Sequence, residues 1–423
     1  MDDAARRWRL LARGLGLALL LSVGVFSFIR AVRLDFDFHH FYPDARYVWE
    51  HGALNPHMAA DPDVTPRRLP FYLPTVATIL APLTAGGVWP AALAWSLMQV
   101  ASLAVAGVLL ARWGLSREPD ASARLLVVGL LAAPALYEAA RFNQLSFPIL
   151  ALVLAGFAAL ERGRAWRGGA LLGVAAVLKL LPGILLVYLV LKRQWRAATG
   201  FVAAALLLTL LPPLLVYGPE RTVAYHREWW QHNMRGAAAR GMTDPELREH
   251  FIDHRNQALP AVAARWLWRD HPYAMPWQPV RTDASTPRLL AAYVATLLLV
   301  GLFVTTRGAW PALAEPARRA EFAVFVLAMV AFSPLLRQYY LVWALPALVV
   351  LAVAAQSGQR PASRLGWAGL LVWLGGMLAW AVPLLRLGGI HLFMLIALGV
   401  LTLAAGRRMG GAGPAAEPAG QSG

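Results

Sequence analysis

The densest group of ionisable and aromatic side chains in this sequence is Asp35-Phe36-Asp37-Phe38-His39-His40-Phe41-Tyr42-Pro43-Asp44. Two carboxylates two residues apart, directly after an apolar run, have the chemistry of a general base that deprotonates a hydroxyl. An Asp that follows a helix is also the ordinary start of a solvated loop, and the residue types alone leave both readings open. What would separate them is desolvation beside lipid, which perturbs a carboxylate's pKa. His39 and His40 make a poor metal pair, because sequence neighbours rarely both face one ion and no further acid or imidazole stands at ligand spacing. The expected site has no metal and no cofactor, with a divalent ion left open.

The cations are spread along the chain. Lys179 lies inside an apolar helix, twelve residues beyond Arg167, where a charge needs an anion or a cluster of carbonyls unless it snorkels to the nearer interface. Arg141, Asn143 and Gln144 sit at the outer end of another apolar run, either as cap and interface anchor or as part of a site. Arg255-Asn256-Gln257, with Arg265 downstream, suits sugar hydroxyls and phosphate, and fits a solvated loop equally. Arg337, after Ser333-Pro334, places one more guanidinium at an outer helix end.

The elements that must hold these groups are membrane helices. Of 423 residues, 58% are hydrophobic and only 15% charged, with a mean hydropathy of +0.52, whereas soluble domains average roughly 25% charged. Apolar runs long enough for a hydrocarbon layer roughly 30 Å thick recur along the chain. Seventeen Trp and eleven Tyr suit aromatic belts at two interfaces. The apolar stretch near 15–29 follows Arg6, Arg7, Arg9 and Arg13 and lacks a small-residue cleavage site, so it reads as an uncleaved first span rather than a signal peptide. Further spans are expected near 88–111, 124–140, 145–161, 197–216, 288–306, 321–336, 338–355, 365–383 and 389–406. The stretch 73–83 is short and Pro-bounded, and 168–191 is broken at Pro182-Gly183, so these read as re-entrant or short helices with loosened backbone facing a cavity.

The fold class is thus an all-α polytopic membrane protein, a single bundle of about twelve transmembrane helices over 1–408. Outer loops are expected at about 33–72 and 218–286, with a disordered cytoplasmic tail at 409–423. The net charge of +16 and pI near 11.0 would suggest nucleic acid in a soluble protein. Here the Arg residues gather in short loops between apolar runs, the positive-inside pattern. That places the chain in the cytoplasmic membrane, both termini inside, the candidate site facing outward, with membrane lipids rather than nucleic acid as partners. There is no cysteine, which removes disulfides and thiolate chemistry.

Taken together, these motifs resemble glycosyltransferase family 87, a polyprenol-phosphate-mannose-dependent group of the GT-C superfamily. Asp37–Ala45 is similar to that family's aspartate–aromatic motif after the first span, and Arg141–Gln144 to its Gly-Gln-x-Asn segment. Gly168–Pro182 resembles its Gly-rich helix ending in Lys-x-x-Pro, Arg255–Leu259 its Asn-Gln-Ser-Leu motif, and Ser333-Pro334 its Ser-Pro segment. Order and spacing match over roughly 30–345. Asn143 replaces the usual Gly, Ala258 the usual Ser, and Gln338-Tyr339-Tyr340 stands where histidines are frequent.

The resemblance implies a GT-C-like bundle and an inverting transfer of a hexose, mannose above all, from a polyprenyl-phosphate sugar to a lipid or glycan acceptor. The aligned aspartate makes Asp37 the expected base, with Asp35 in reserve. Lys179, Arg255, Arg265 and Arg337 are candidates for the phosphate, and Asn256, Gln257, Gln144, His40 and Tyr42 for substrate contacts. A nucleotide-sugar donor is disfavoured, since no Gly-rich strand–helix signature is present. The alternative is a transporter or flippase of lipid-linked sugars, weakened because only one broken helix is found and no matching partner in the second half.

Overall fold

The computed structural model describes residues 3–54, 72–113, 121–231, 233 and 253–410. The expected tail at 409–423 and the middle of both expected outer loops lie largely outside the described residues. Everything described is helix or connection, apart from a single isolated bridge between Trp268 and Thr282. In chain order the helices are α1 Asp3–Val32, α2 Phe38–His51, α3 Pro74–Leu80, α4 Val88–Ala111, α5 Ala121–Phe142, α6 Ser146–Glu161, α7 Ala165–Leu178 and α8 Ile184–Leu191. There follow α9 Trp195–Trp230, α10 Leu259–Leu267, α11 Thr286–Thr305, α12 Glu315–Ala331, α13 Leu345–Ala355, α14 Arg360–Ala379, α15 Pro383–Gly388 and α16 Ile390–Gly410.

Among the described residues, seven helical stretches are long and apolar enough to cross a membrane, and α5 and α6 form a further apolar pair bent by 120° at their junction. Lipid does not drive apolar helices together, so close packing and small residues must. The seam between α7 and α9 illustrates this. A Cβ on Gly169 would run into the carbonyl of Ala197, one on Gly173 into that of Phe201, and one on Gly200 would come within 2.5 Å of that of Trp166. The Gly-rich string of α7 is therefore a close-packing face, and it fixes where the end of α7 falls. The 3₁₀ turn Gln338–Ala344 with α13, and most of α6 and α12, are enclosed on all sides. The faces of α1, α9 and α11 carry exposed Leu and Val, as lipid-facing helices must.

The two ends of the bundle differ. On one, Lys192 meets Glu321 and the carbonyls of Thr306 and Gly308, Arg319 pairs with Glu161 at 2.9 Å, and Arg407 reaches Thr305. These are the loops expected to be basic and cytoplasmic, and the structure gathers them on one face. The other end holds the start of α2, the α5–α6 turn, the end of α7 and the segment from Asp253 to α10.

Several expectations are corrected. The stretch after the first span is not a loop but begins helix α2, which buries Phe38, Phe41, Ala45 and Val48 at helical spacing. The span at 197–216 continues as helix to Trp230 across a kink at Gly218, which has φ 76°. Lys179 is not inside a helix. Pro182 would set its ring against the carbonyl of Leu178, four residues back, so α7 stops at Leu178 and Lys179 is extended, with φ −158° and ψ 129°.

Candidate active site

Asp37 reaches its position through a strained turn. Leu34 and Phe36 both take left-handed backbone, φ 50° and 52°, which is costly for large side chains and is the kind of strain that collects at functional sites. The Asp37 amide then donates to the carbonyl of Phe142 at 3.3 Å, which ties it to the end of α5. Phe38 and Phe41 hold α2 against Trp95 of α4, with ring centroids 5.3 and 5.2 Å apart. Asp37 is the N-cap of α2, and an Asp there ordinarily folds its carboxylate back onto the helix amides. Here it makes no such bond. The carboxylate instead accepts a hydrogen bond from the Gln144 side-chain amide.

Gln144 comes from the turn between α5 and α6. Asn143 just before it has φ 54°, a left-handed position where Gly is easiest and Asn is among the better tolerated alternatives. This explains how Asn143 can stand in for the family's Gly. Its buried side chain accepts from Ser27 at 2.5 Å and Trp95 at 2.9 Å and donates to the Ser27 carbonyl at 3.2 Å. Helices α1 and α4 and the turn are thus locked together, and Gln99 donates to the Gln144 carbonyl at 2.6 Å.

The Gln144 side-chain oxygen accepts from the Lys179 ammonium at 3.1 Å. One amide therefore joins acid and cation while keeping them from closing into an ion pair. Aromatic rings surround the ammonium: Tyr340 at 4.3 Å, Tyr72 at 5.7 Å, and Tyr339 and Trp343 each at 5.8 Å. Ring faces supply partial negative charge, which explains how a lysine persists there without a carboxylate in contact. Tyr72, Tyr339, Tyr340 and Trp343 were not read as site residues from sequence; the cluster of aromatics after Ser333-Pro334 was the available signal. Burial pushes the Asp37 carboxyl from its ordinary value of 3.8 up to about 6, against the opposing pull of Lys179 and the Gln144 hydrogen bond. The group is still partly accessible.

Asp35, two residues earlier, is otherwise engaged: it pairs with Arg30 at 3.0 Å. Arg141 pairs with Glu138 at 3.1 Å and lies over Phe36 at 5.4 Å. His40 is on the exposed side of α2, its ring against His39, and Tyr42 packs on Phe38.

The second cluster of expected residues forms a scaffold. Arg265 is fully buried and donates to the carbonyls of Leu387 at 2.7 Å, Asn256 at 2.8 Å and Asp253 at 3.3 Å. Asn256 bonds the Pro334 carbonyl and the amides of Ala258 and Leu336, and Gln257 bonds the carbonyls of His254 and Arg386 and the amide of His391. These three knit the segment before α10 to 334–336 and 386–391. Ala258, in place of a Ser, is the N-cap of α10 and cannot cap it with a side chain. Arg337 pairs with Asp253 at 2.8 Å. Burial raises the Asp253 carboxyl, but the Arg255 amide and then Arg337 outweigh it and hold the group below its ordinary value. Arg255 is exposed. Among the described residues no three His, Asp or Glu side chains converge as a metal site.

The model of glycosyltransferase family 87 matches residues 71–334. A polyprenol-phosphate-mannose-dependent alpha-(1-2)-phosphatidylinositol pentamannoside mannosyltransferase of Mycobacterium tuberculosis (strain CDC 1551 / Oshkosh) is 28% identical over 380 residues, 87% of this chain and 79% of that protein. A polyprenol-phosphate-mannose-dependent alpha-(1-2)-phosphatidylinositol mannoside mannosyltransferase of Mycobacterium tuberculosis (strain ATCC 25618 / H37Rv) is 30% identical over 190 residues, 40% of this chain and 43% of its own length. Among solved structures, ArnT from Cupriavidus metallidurans bound to undecaprenyl phosphate aligns over 93% of this chain and 77% of that one, at 18% identity and a TM-score of 0.34.

Proposed function

The chain belongs to glycosyltransferase family 87, and from that premise we propose that it moves a mannose from a polyprenyl-phosphate sugar to a hydroxyl of a lipid or glycan acceptor, with inversion. As a glycosyltransferase it leaves the transporter reading without support. The observation that carries the proposal is the unspent carboxylate of Asp37, joined through Gln144 to Lys179 at one end of the bundle.

The chemistry follows from the charges. An acceptor hydroxyl beside Asp37 attacks the anomeric carbon as its proton passes to the carboxylate, whose raised pKa makes it a stronger base than an ordinary Asp. The bond from that carbon to the phosphate oxygen breaks, and the electron pair leaves with the polyprenyl phosphate. Lys179 is the cation nearest the base and meets the growing charge in a site with little water. Arg337, which pairs with Asp253, and the exposed Arg255 are our candidates for a phosphate contact from the outer segment, while Arg265, Asn256 and Gln257 hold that segment in shape. His40 and Tyr42 flank the acceptor side on α2. No metal or cofactor is assigned to the step.

We take the chain to cross the cytoplasmic membrane about twelve times with both termini inside, a reading supported by the gathering of Lys192, Arg319 and Arg407 on one face. The reaction then lies on the outer face, where a lipid-anchored donor is needed because soluble nucleotide sugars are absent. The test is transfer from radiolabelled polyprenyl-phosphate mannose to a phosphatidylinositol mannoside mixture by purified protein in detergent. Asp37→Asn is expected to lower transfer by about 100- to 10,000-fold, the range a general base contributes, while Asp35→Asn keeps most of it. Equal turnover in wild type and Asp37→Asn would remove the assigned base.

A further inference from the structure

At the end of the bundle opposite Asp37, an open cleft of about 480 Å³ is lined by Gly163, Arg164, Ala165, Trp166, Arg167 and Arg196. Its walls come from the starts of two helices, α7 and α9. The three arginines are exposed. The nearest acid in sequence, Glu161, is already held by Arg319 at 2.9 Å. Three arginines therefore line one depression, and among the described residues no carboxylate pairs with them, an arrangement that self-repulsion disfavours unless an anion enters.

The surroundings identify the kind of anion. Trp166 and Trp195 are exposed at the starts of α7 and α9, the position of indoles that mark the headgroup level. Beyond Trp195 the same face of α9 continues, seven and eleven residues on, as exposed Val202 and Leu206, an apolar wall suited to an acyl chain. Charge at headgroup depth above a greasy wall fits an anionic phospholipid better than a free solute. We propose that this cleft is a binding site for the phosphate headgroup of an anionic glycerophospholipid from the leaflet on the basic face. Because Gly169, Gly173 and Gly200 press α7 and α9 backbone to backbone, a headgroup shared by their starts clamps the pair. The site owes nothing to the transfer reaction at the other end.

Native mass spectrometry of the detergent-purified full chain, titrated with dioleoyl phosphatidylglycerol or dioleoyl phosphatidylcholine, reads binding directly. The wild type is expected to prefer the anionic lipid, and Arg164→Gln/Arg167→Gln/Arg196→Gln to bind it about 100-fold more weakly, at about fivefold for each arginine near a lipid surface. Single Arg196→Gln and Arg164→Gln variants, each losing about fivefold, give the answer should the triple variant not fold. An unchanged preference in these variants overturns the site. A large excess of inorganic phosphate is expected to leave the lipid adducts intact. Displacement by it would make the cleft a free-phosphate site and overturn the lipid assignment.

Discussion

The pH dependence of transfer reports on Asp37, and Lys179 offers a way to move it. The base works only when ionised, so kcat/KM should approach its plateau only about one unit above the Asp37 value of about 6 and fall in acid with its midpoint near that value. One unit lower, about a tenth of the molecules remain ionised, a tenfold loss. The donor phosphodiester does not titrate in this range. In Lys179→Met the carboxylate loses the positive charge that pulls its pKa down. The two groups are separated by one amide and two hydrogen bonds, about 6 Å. At an effective dielectric of about 20–40 that charge is worth roughly 1.5–3 kcal/mol, or about one to two pKa units. The acid limb of the profile should therefore move to higher pH by about that amount. Its plateau should also drop, because the leaving phosphate loses its counter-charge. Gln144→Leu removes the other lowering contact and should move the limb in the same direction by less. The assay is initial rate against pH with the labelled donor at limiting concentration. An acid limb that stays in place in Lys179→Met, with only the plateau lowered, would refute the electrical link between the two groups.

Two further outcomes concern the frame. Gly169→Ala puts a methyl group against the Ala197 carbonyl, where backbone rather than a flexible side chain must yield. It should cost about 3 kcal/mol, the upper range for overpacking, and lower the thermal midpoint in detergent, while Gly107→Ala on α4, where nothing lies near the new atom, should not. Lys192→Met strands the buried Glu321 carboxylate and should cost about 3–5 kcal/mol by thermal unfolding, most of which Lys192→Met/Glu321→Leu should recover.

The membrane architecture was legible because its signals are long. Eighteen apolar residues in a row have few other readings, and a run such as 88–111 appears in the structure as one helix with those bounds. The broken helix at 168–191 was legible for the opposite reason, since Pro182 followed by Gly183 interrupts the apolar run with two residues that disfavour a continuous helix. Its break point was misplaced by a few residues because the obstruction acts one turn back, at Leu178, so Lys179 was expected inside a helix and stands just past its end. The helix α2 was missed because a cluster of Asp, His and Pro has loop composition. Its helical face is carried by only Phe38, Phe41, Ala45 and Val48, and Pro43 lies within it.

For the site, residue type identified the charged groups but not their company. Asp35 and Asp37 differ by nothing that spacing can express. Arg30, one turn before Asp35, takes that carboxylate, while the left-handed Leu34 and Phe36 turn the other toward Gln144. Arg265 is the converse case. An arginine among polar loop residues looks suited to phosphate, yet here three backbone carbonyls, Leu387 from far along the chain and Asp253 and Asn256 just upstream, hold it. Neither a buried carbonyl nor the bond it makes leaves a mark on side-chain chemistry, so that role was beyond reach. Lys179 lies between these cases. Its isolation in apolar sequence signalled a need for compensation, and the compensation came from four aromatic rings and one amide rather than from a carboxylate in contact. Rings and one amide oxygen hold the ammonium while leaving its other donor positions open. A lysine already bonded to Asp37 could bind a phosphate only by giving that carboxylate up, and the intervening amide of Gln144 lets the base and the cation each face a different end of the bond that breaks.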